Sequence, residues 1–143
     1  MAPAGWEVIG VLDTDGDCAE WTFPAEPGAV RAAREAVRAR LRAWELGTLA
    51  DVAALLVSEL VTNSLRHATG PIGVRLVRPS GDDGVLLVEV SDPLPDPPRA
   101  RSAADEDESG RGLQLVARTS RRWGTRPGRG TGKTVWFELA IPR

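Results

Sequence analysis

The period of the apolar positions changes several times along the chain. Ala19 to Phe23 (AEWTF) alternates small or polar with bulky apolar side chains, the mark of a short strand. Pro24 and Pro27 interrupt it. From Gly28 the period lengthens. Val30, Ala33, Val37, Leu41 and Trp44 recur every three or four residues and predict a helix, with Arg31, Arg34, Arg38 and Arg42 as a second stripe beside them. Gly47 is its expected C-terminal stop. Thr48 is expected to cap the next helix, with Asp51 three residues on completing a capping box. Leu49, Val52, Ala53, Leu56 and Leu60 mark the buried face of that helix, which is expected to run to about Ala68 before Thr69-Gly70-Pro71 ends it. Two strands follow, Ile72 to Val77 and Val85 to Ser91, joined by a hairpin loop at Gly81-Asp82-Asp83-Gly84. Pro93 to Arg101 is too rich in proline for helix or strand, and Ala103 to Ser109 is small and acidic. Leu113, Val116 and Ala117 predict a helix over Gly112 to Arg122; a short strand over Trp123 to Arg126 and a strong final strand over Lys133 to Ile141 complete the order. That order predicts α+β architecture: a two-layer sandwich with helices on one face of a mixed, mostly antiparallel sheet. Met1 to Asp17 reads as a tail, with an optional edge strand at Val8 to Leu12, ahead of a single domain over residues 18–143.

Composition narrows the function classes. The chain has 143 residues, 42% hydrophobic and 27% charged, with a net charge of -2. This suits one globular domain and calls for neither nucleic acid nor membrane. Cys18 is the only cysteine, so no internal disulfide forms and a reducing compartment is natural. A small strand residue is the favoured reading of it, ahead of a reactive thiol. One histidine and one cysteine leave no zinc site to build. The first residues, MAPAGWEVIG, lack the pattern of a signal peptide, and no apolar run is expected to reach the roughly 20 residues of a membrane helix. The expectation is a soluble, cytoplasmic protein. Its five tryptophans, Trp6, Trp21, Trp44, Trp123 and Trp136, are expected in the core.

The segment Ser58 to Ala68 (SELVTNSLRHA) carries the chemistry. Glu59, Asn63 and His67 stand at i, i+4 and i+8. Each step of four advances about 40° around a helix, so the three share a face about 80° wide beside the apolar stripe. The carboxamide oxygen of Asn63 is a hard ligand suited to Mg²⁺, and the carboxylate one turn earlier can accept a proton. An ordinary amphipathic helix with polar boundary residues accounts for the same spacing, so spacing alone leaves both readings open.

These residues, with three later motifs, resemble the GHKL superfamily of Bergerat-fold ATP-binding domains. Glu59-Leu60-Val61-Thr62-Asn63-Ser64-Leu65-Arg66-His67-Ala68 is similar to the N box, whose core is Glu, three residues, Asn, then a small residue. Val88 to Asp92 supplies the strand ending in Asp; Gly110-Arg111-Gly112-Leu113 resembles the G2 box; and Gly132-Lys133-Thr134-Val135 resembles the final glycine–threonine strand motif. The motifs keep the family's order and span about Ala19 to Ile141. The compact length resembles the anti-sigma-factor serine/threonine kinase branch of these histidine-kinase-like ATPases.

The resemblance implies a Bergerat fold and ATP with Mg²⁺ as cofactors. It implies Glu59 as general base and Asn63 as the Mg²⁺ ligand. It implies nucleotide contacts from Arg66, His67, Asp92, Gly110, Arg111, Gly112, Leu113 and Thr134, with Asp92 reading the adenine amino group. It further implies a small antagonist protein as phosphate acceptor, a sigma factor as the sequestered partner, and a homodimer. One motif departs from the family. The G1 box usually reads Asp, any, Gly, any, Gly, whereas Asp92 is followed here by Pro93-Leu94-Pro95-Asp96. Proline fixes φ and removes an amide donor, so the loop must follow another path. That departure favours an alternative, a non-catalytic regulator whose partner binding is gated by nucleotide. A pure protein-interaction domain is a third reading. DNA binding through Arg118, Arg121, Arg122, Arg126 and Arg129 is the least favoured, because such clusters usually show in net charge. Gly128 to Thr134 imitates a P-loop, but the first glycine of that motif falls on Pro127, and a strand rather than a helix follows. The arginine stripe of the first helix is by default a solvated face, and docking an acidic partner is the sharper expectation for it.

Overall fold

The computed structural model describes residues 18–67, 70–78, 84–92, 112–127 and 132–142. The N-terminal tail, most of the hairpin loop, the proline-rich and acidic stretch, Gly110 and Arg111 lie outside them. The elements run β1 (Cys18–Phe23), α1 (Ala29–Ala43), α2 (Gly47–His67), β2 (Ile72–Val77), β3 (Val85–Asp92), α3 (112–119), β4 (Arg122–Pro127) and β5 (Lys133–Ala140). The strands form one sheet in the order β1-β2-β3-β5-β4. Every pairing is antiparallel, where the sequence allowed for a mixed sheet.

Side-chain alternation divides the sheet into two faces. Trp21, Phe23, Ile72, Val74, Leu76, Leu86, Val88, Val90, Phe137 and Leu139 point to the helical layer and are buried. From the helices, Ala33, Val37 and Leu41 of α1, Ala53, Leu56, Val57, Leu60 and Val61 of α2, and Val116 of α3 complete the core. The four-residue spacing of Ala29, Ala33, Val37 and Leu41 keeps one stripe of α1 inward. Val30, expected in that stripe, is only partly buried. The segment Gly47–Arg66 has the length and mean hydropathy, 1.3, of a membrane span, against the expectation that no such run exists. Over half of that stretch is buried inside the fold, where α2 serves as the central core helix.

The turn between α1 and α2 differs from the sequence reading. Trp44 is the C-cap, and Glu45 takes the left-handed position with φ 61°. The Leu46 amide donates to the Leu41 carbonyl at 2.7 Å and the Glu45 amide to the Arg42 carbonyl at 3.0 Å, a Schellman closure. Leu41 and Leu46 are both buried beneath it. Gly47 is therefore the first residue of α2 and not the stop of α1. Thr48 lies inside the first turn, and Asp51 accepts from Arg38 of α1 at 3.2 Å instead of serving a capping box. Because a side chain at positive φ costs roughly 1 kcal/mol, Glu45→Gly is expected to raise stability by about 0.5–1 kcal/mol in chemical denaturation; a loss would contradict this geometry.

The tryptophans divide. Trp21 and Trp44 are buried, the latter beneath the Arg40 and Arg78 guanidiniums at 5.7 and 4.9 Å from the ring centroid. Trp136 is half-buried and lies across Gly124, where a Cβ would come within 2.8 Å of the ring. Trp123 is 37% exposed, contrary to the expectation of a core position. On the face away from the helices Glu89 is buried, pairing with Arg75 at 2.9 Å and with Arg126 reaching across β5.

Candidate functional site

The C-terminal half of α2, the end of β3 and the start of α3 converge on one place. Ser64 sits in the apolar stripe of α2, one turn beyond Val61 and two beyond Val57, and is buried like them. A hydroxyl there needs a partner. It donates to Asp92 Oδ2 at 3.2 Å, which ties the last residue of β3 to the helix. Asp92 is itself only 5% exposed. A buried carboxylate is costly without hydrogen bonds, and Ser64 supplies one. Removing that donor by Ser64→Ala is expected to weaken nucleotide binding several-fold by taking away one of the holds on the Asp92 carboxylate, as read by calorimetric titration.

Asn63 precedes Ser64 and faces α3. A Cβ built on Gly112 would lie 2.7 Å from Asn63 Nδ2, so only glycine lets α3 start this close to the carboxamide. The G2-like and N-like motifs, about fifty residues apart in the chain, thus meet in space. Glu59 lies one turn before Asn63, half-buried. Among the described residues neither side chain is taken up by a hydrogen bond or an ion pair. The neighbouring hydroxyls are satisfied inside the helix: Ser58 donates to the Ala54 carbonyl at 2.8 Å and Thr62 to the Ser58 carbonyl at 2.7 Å.

The other expected residues spread out. Arg66 is exposed near the end of α2, and His67 is its last residue. Leu113 packs partly buried against the core. Thr134 is buried on β5, but its hydroxyl lies 2.8 Å from the Ser91 hydroxyl. Since successive residues of a strand alternate, Ser91 and Thr134 lie on the face opposite to the Asp92 side chain. The structure therefore gathers Asn63, Ser64, Asp92 and Gly112, sets Glu59 one turn away, and leaves the Thr134 hydroxyl outside the cluster. Ser64 is the residue the sequence reading assigned no role. Its signal was a polar side chain within an apolar helical stripe.

The family's model for the histidine kinase-like ATPase domain matches residues 23–139. The chain belongs to that family. It is an ATP-binding domain of the GHKL type. No curated protein matches it in sequence. Among solved structures, the histidine kinase domain from the Erythrobacter litoralis EL346 blue-light activated histidine kinase is similar at 21% identity with a TM-score of 0.45. That match covers 99% of this chain and 66% of the other, so the chain spans about two thirds of that chain's length.

The donor set fits Mg-ATP. Among the described residues no group of three His, Cys, Asp or Glu side chains could hold a metal ion. The carboxamide oxygen of Asn63 suits Mg²⁺, which keeps several waters and shares phosphate oxygens and so needs few protein ligands. Gly112 is at the first described turn of α3, and amides in the first turn of a helix suit phosphate. Asp92 presents a buried carboxylate at the end of the central strand β3, an acceptor of the kind a purine amino group needs.

Proposed function

We propose that this domain transfers the γ-phosphoryl group of Mg-ATP to a serine or threonine of a small antagonist protein, and that the same domain sequesters a sigma factor as a cytoplasmic homodimer. The observation that carries the kinase reading is Glu59: half-buried, one turn from Asn63, with no side-chain partner among the described residues. In this reading Asp92, held by Ser64, orients the adenine, and Asn63 with the amides at Gly112 fixes the phosphates. Mg²⁺ supplies charge neutralisation at the phosphates when bound. Glu59 accepts the proton of the attacking hydroxyl as its oxygen bonds to the γ-phosphorus and the bond to the β-phosphate bridging oxygen breaks, releasing ADP.

The test is phosphate transfer from labelled ATP to a candidate antagonist. Glu59→Ala is expected to slow transfer by about 10²–10⁴-fold while ATP binding is kept. Transfer undiminished in the variant would remove Glu59 from the chemistry. The second reading, a non-catalytic regulator gated by nucleotide, is supported by the glycine-free run Pro93-Leu94-Pro95 directly after Asp92. ATP binding that alters partner affinity with no transfer under any condition would select it.

A further inference from the structure

We propose that the free edge of β4 is a docking strand for an extended, acidic segment of a partner protein in which acidic and apolar residues alternate. Among the described residues β4 ends the sheet order and has β5 as its one neighbour in the sheet. Five of its six residues are exposed, and only Gly124 is partly covered. A sheet edge presents backbone donors and acceptors that an incoming strand can use.

The chemistry of the two faces specifies the occupant. Arg122, Gly124 and Arg126 alternate on the face away from the helices, and Trp123 and Thr125 stand on the other. A strand laid beside β4 therefore runs along a face where Arg122 and Arg126, both partly exposed, extend over β5, and along an exposed indole on the other face. Arg118 in α3 and Arg121 just before β4 are also exposed, and among the described residues neither is paired with a carboxylate. Arg122 lies 4.0 Å from Glu138 and over the Trp136 ring at 5.8 Å, and Arg126 shares Glu89 with Arg75, so with Arg118 and Arg121 the arginines here outnumber the carboxylates they meet among the described residues. Acidic residues set beside Arg122 and Arg126, with an apolar one between them over Trp123, answer this pattern.

The same charges disfavour the simplest alternative. If two copies paired through β4 around Gly124, Arg122 of one would stand opposite Arg126 of the other. Duplex DNA is answered less well: a strand edge offers in-plane amides and carbonyls, and the chain as a whole carries a charge of -2. The proposal does not depend on phosphoryl transfer or on ATP binding, because β4 carries none of the residues gathered around Asp92.

The experiment uses a short blocked peptide alternating glutamate with valine, titrated into the isotope-labelled whole chain while amide shifts are followed. Saturable shifts concentrated on Arg121 to Pro127 and the Trp123 indole are expected, with a lysine–valine counterpart leaving them in place. The double variant Arg121→Glu, Arg122→Glu is expected to weaken binding roughly ten-fold or more. Trp123→Thr, which keeps a strand-favouring residue, is expected to weaken it as well, and both variants should bind Mg-ATP like the wild type. Shifts centred on another element, or equal binding by the charge-reversed variant, would overturn the proposal. So would a short DNA duplex bound at these residues more tightly than the peptide, or β4 shifts that grow with protein concentration alone.

Discussion

Asp92→Asn is expected to lower ATP affinity by roughly ten- to hundred-fold in calorimetric titration, with the thermal transition close to that of the wild type. The carboxylate is 5% exposed and receives the Ser64 hydroxyl on Oδ2. An ionised carboxylate offers acceptors only, which is what an adenine amino group requires. Asparagine keeps the shape and can still accept from Ser64 through its oxygen. Its amino group then faces the purine amino group, donor against donor. Hydrogen bonds to charged groups contribute about 1.5–3 kcal/mol, which sets the size of the loss. Unchanged ATP affinity in this variant would put the purine elsewhere.

Gly112→Ala is expected to cost about 1 kcal/mol of stability and to reduce Mg-ATP affinity roughly ten-fold. The added Cβ would lie 2.7 Å from Asn63 Nδ2 and 3.6 Å from its Cγ. Either α3 moves outward or the carboxamide swings away from the position proposed for it at the nucleotide. The discriminating measurement is a double-mutant cycle with Asn63→Ala. In that background the clash is gone, so the two losses should fail to add by at least about 0.5 kcal/mol. Full additivity would mean that Gly112 acts through its own backbone and not through Asn63.

Much of this arrangement was readable from the chain, for identifiable reasons. The strands at Ile72–Val77 and Val85–Asp92 and the final strand alternate apolar and polar residues because one sheet face is covered and the other open. The length and apolar width of α2 marked it as the central helix, and the spacing of Glu59 and Asn63 was legible on it. Ser64 was visible in the N-like motif, but its bond to Asp92 depends on where β3 ends against α2, a tertiary fact. Glu45 misled because a non-glycine residue occupies the left-handed turn position, leaving Gly47 as the only apparent stop. Trp123 misled because hydrophobicity alone does not say which strand of the sheet is left exposed, and β4 is exposed at five of its six residues. Thr134 stands one register pair from Asp92, and that single step turns its hydroxyl to the other face of the sheet.

Both expected losses rest on nucleotide binding where α2, β3 and α3 meet. Isothermal titration of Mg-ATP into the wild type and into Asn63→Ala tests that most directly. The account predicts binding to the wild type that is lost or sharply weakened in the variant. No binding to the wild type at millimolar ATP, or equal binding by both, would contradict it.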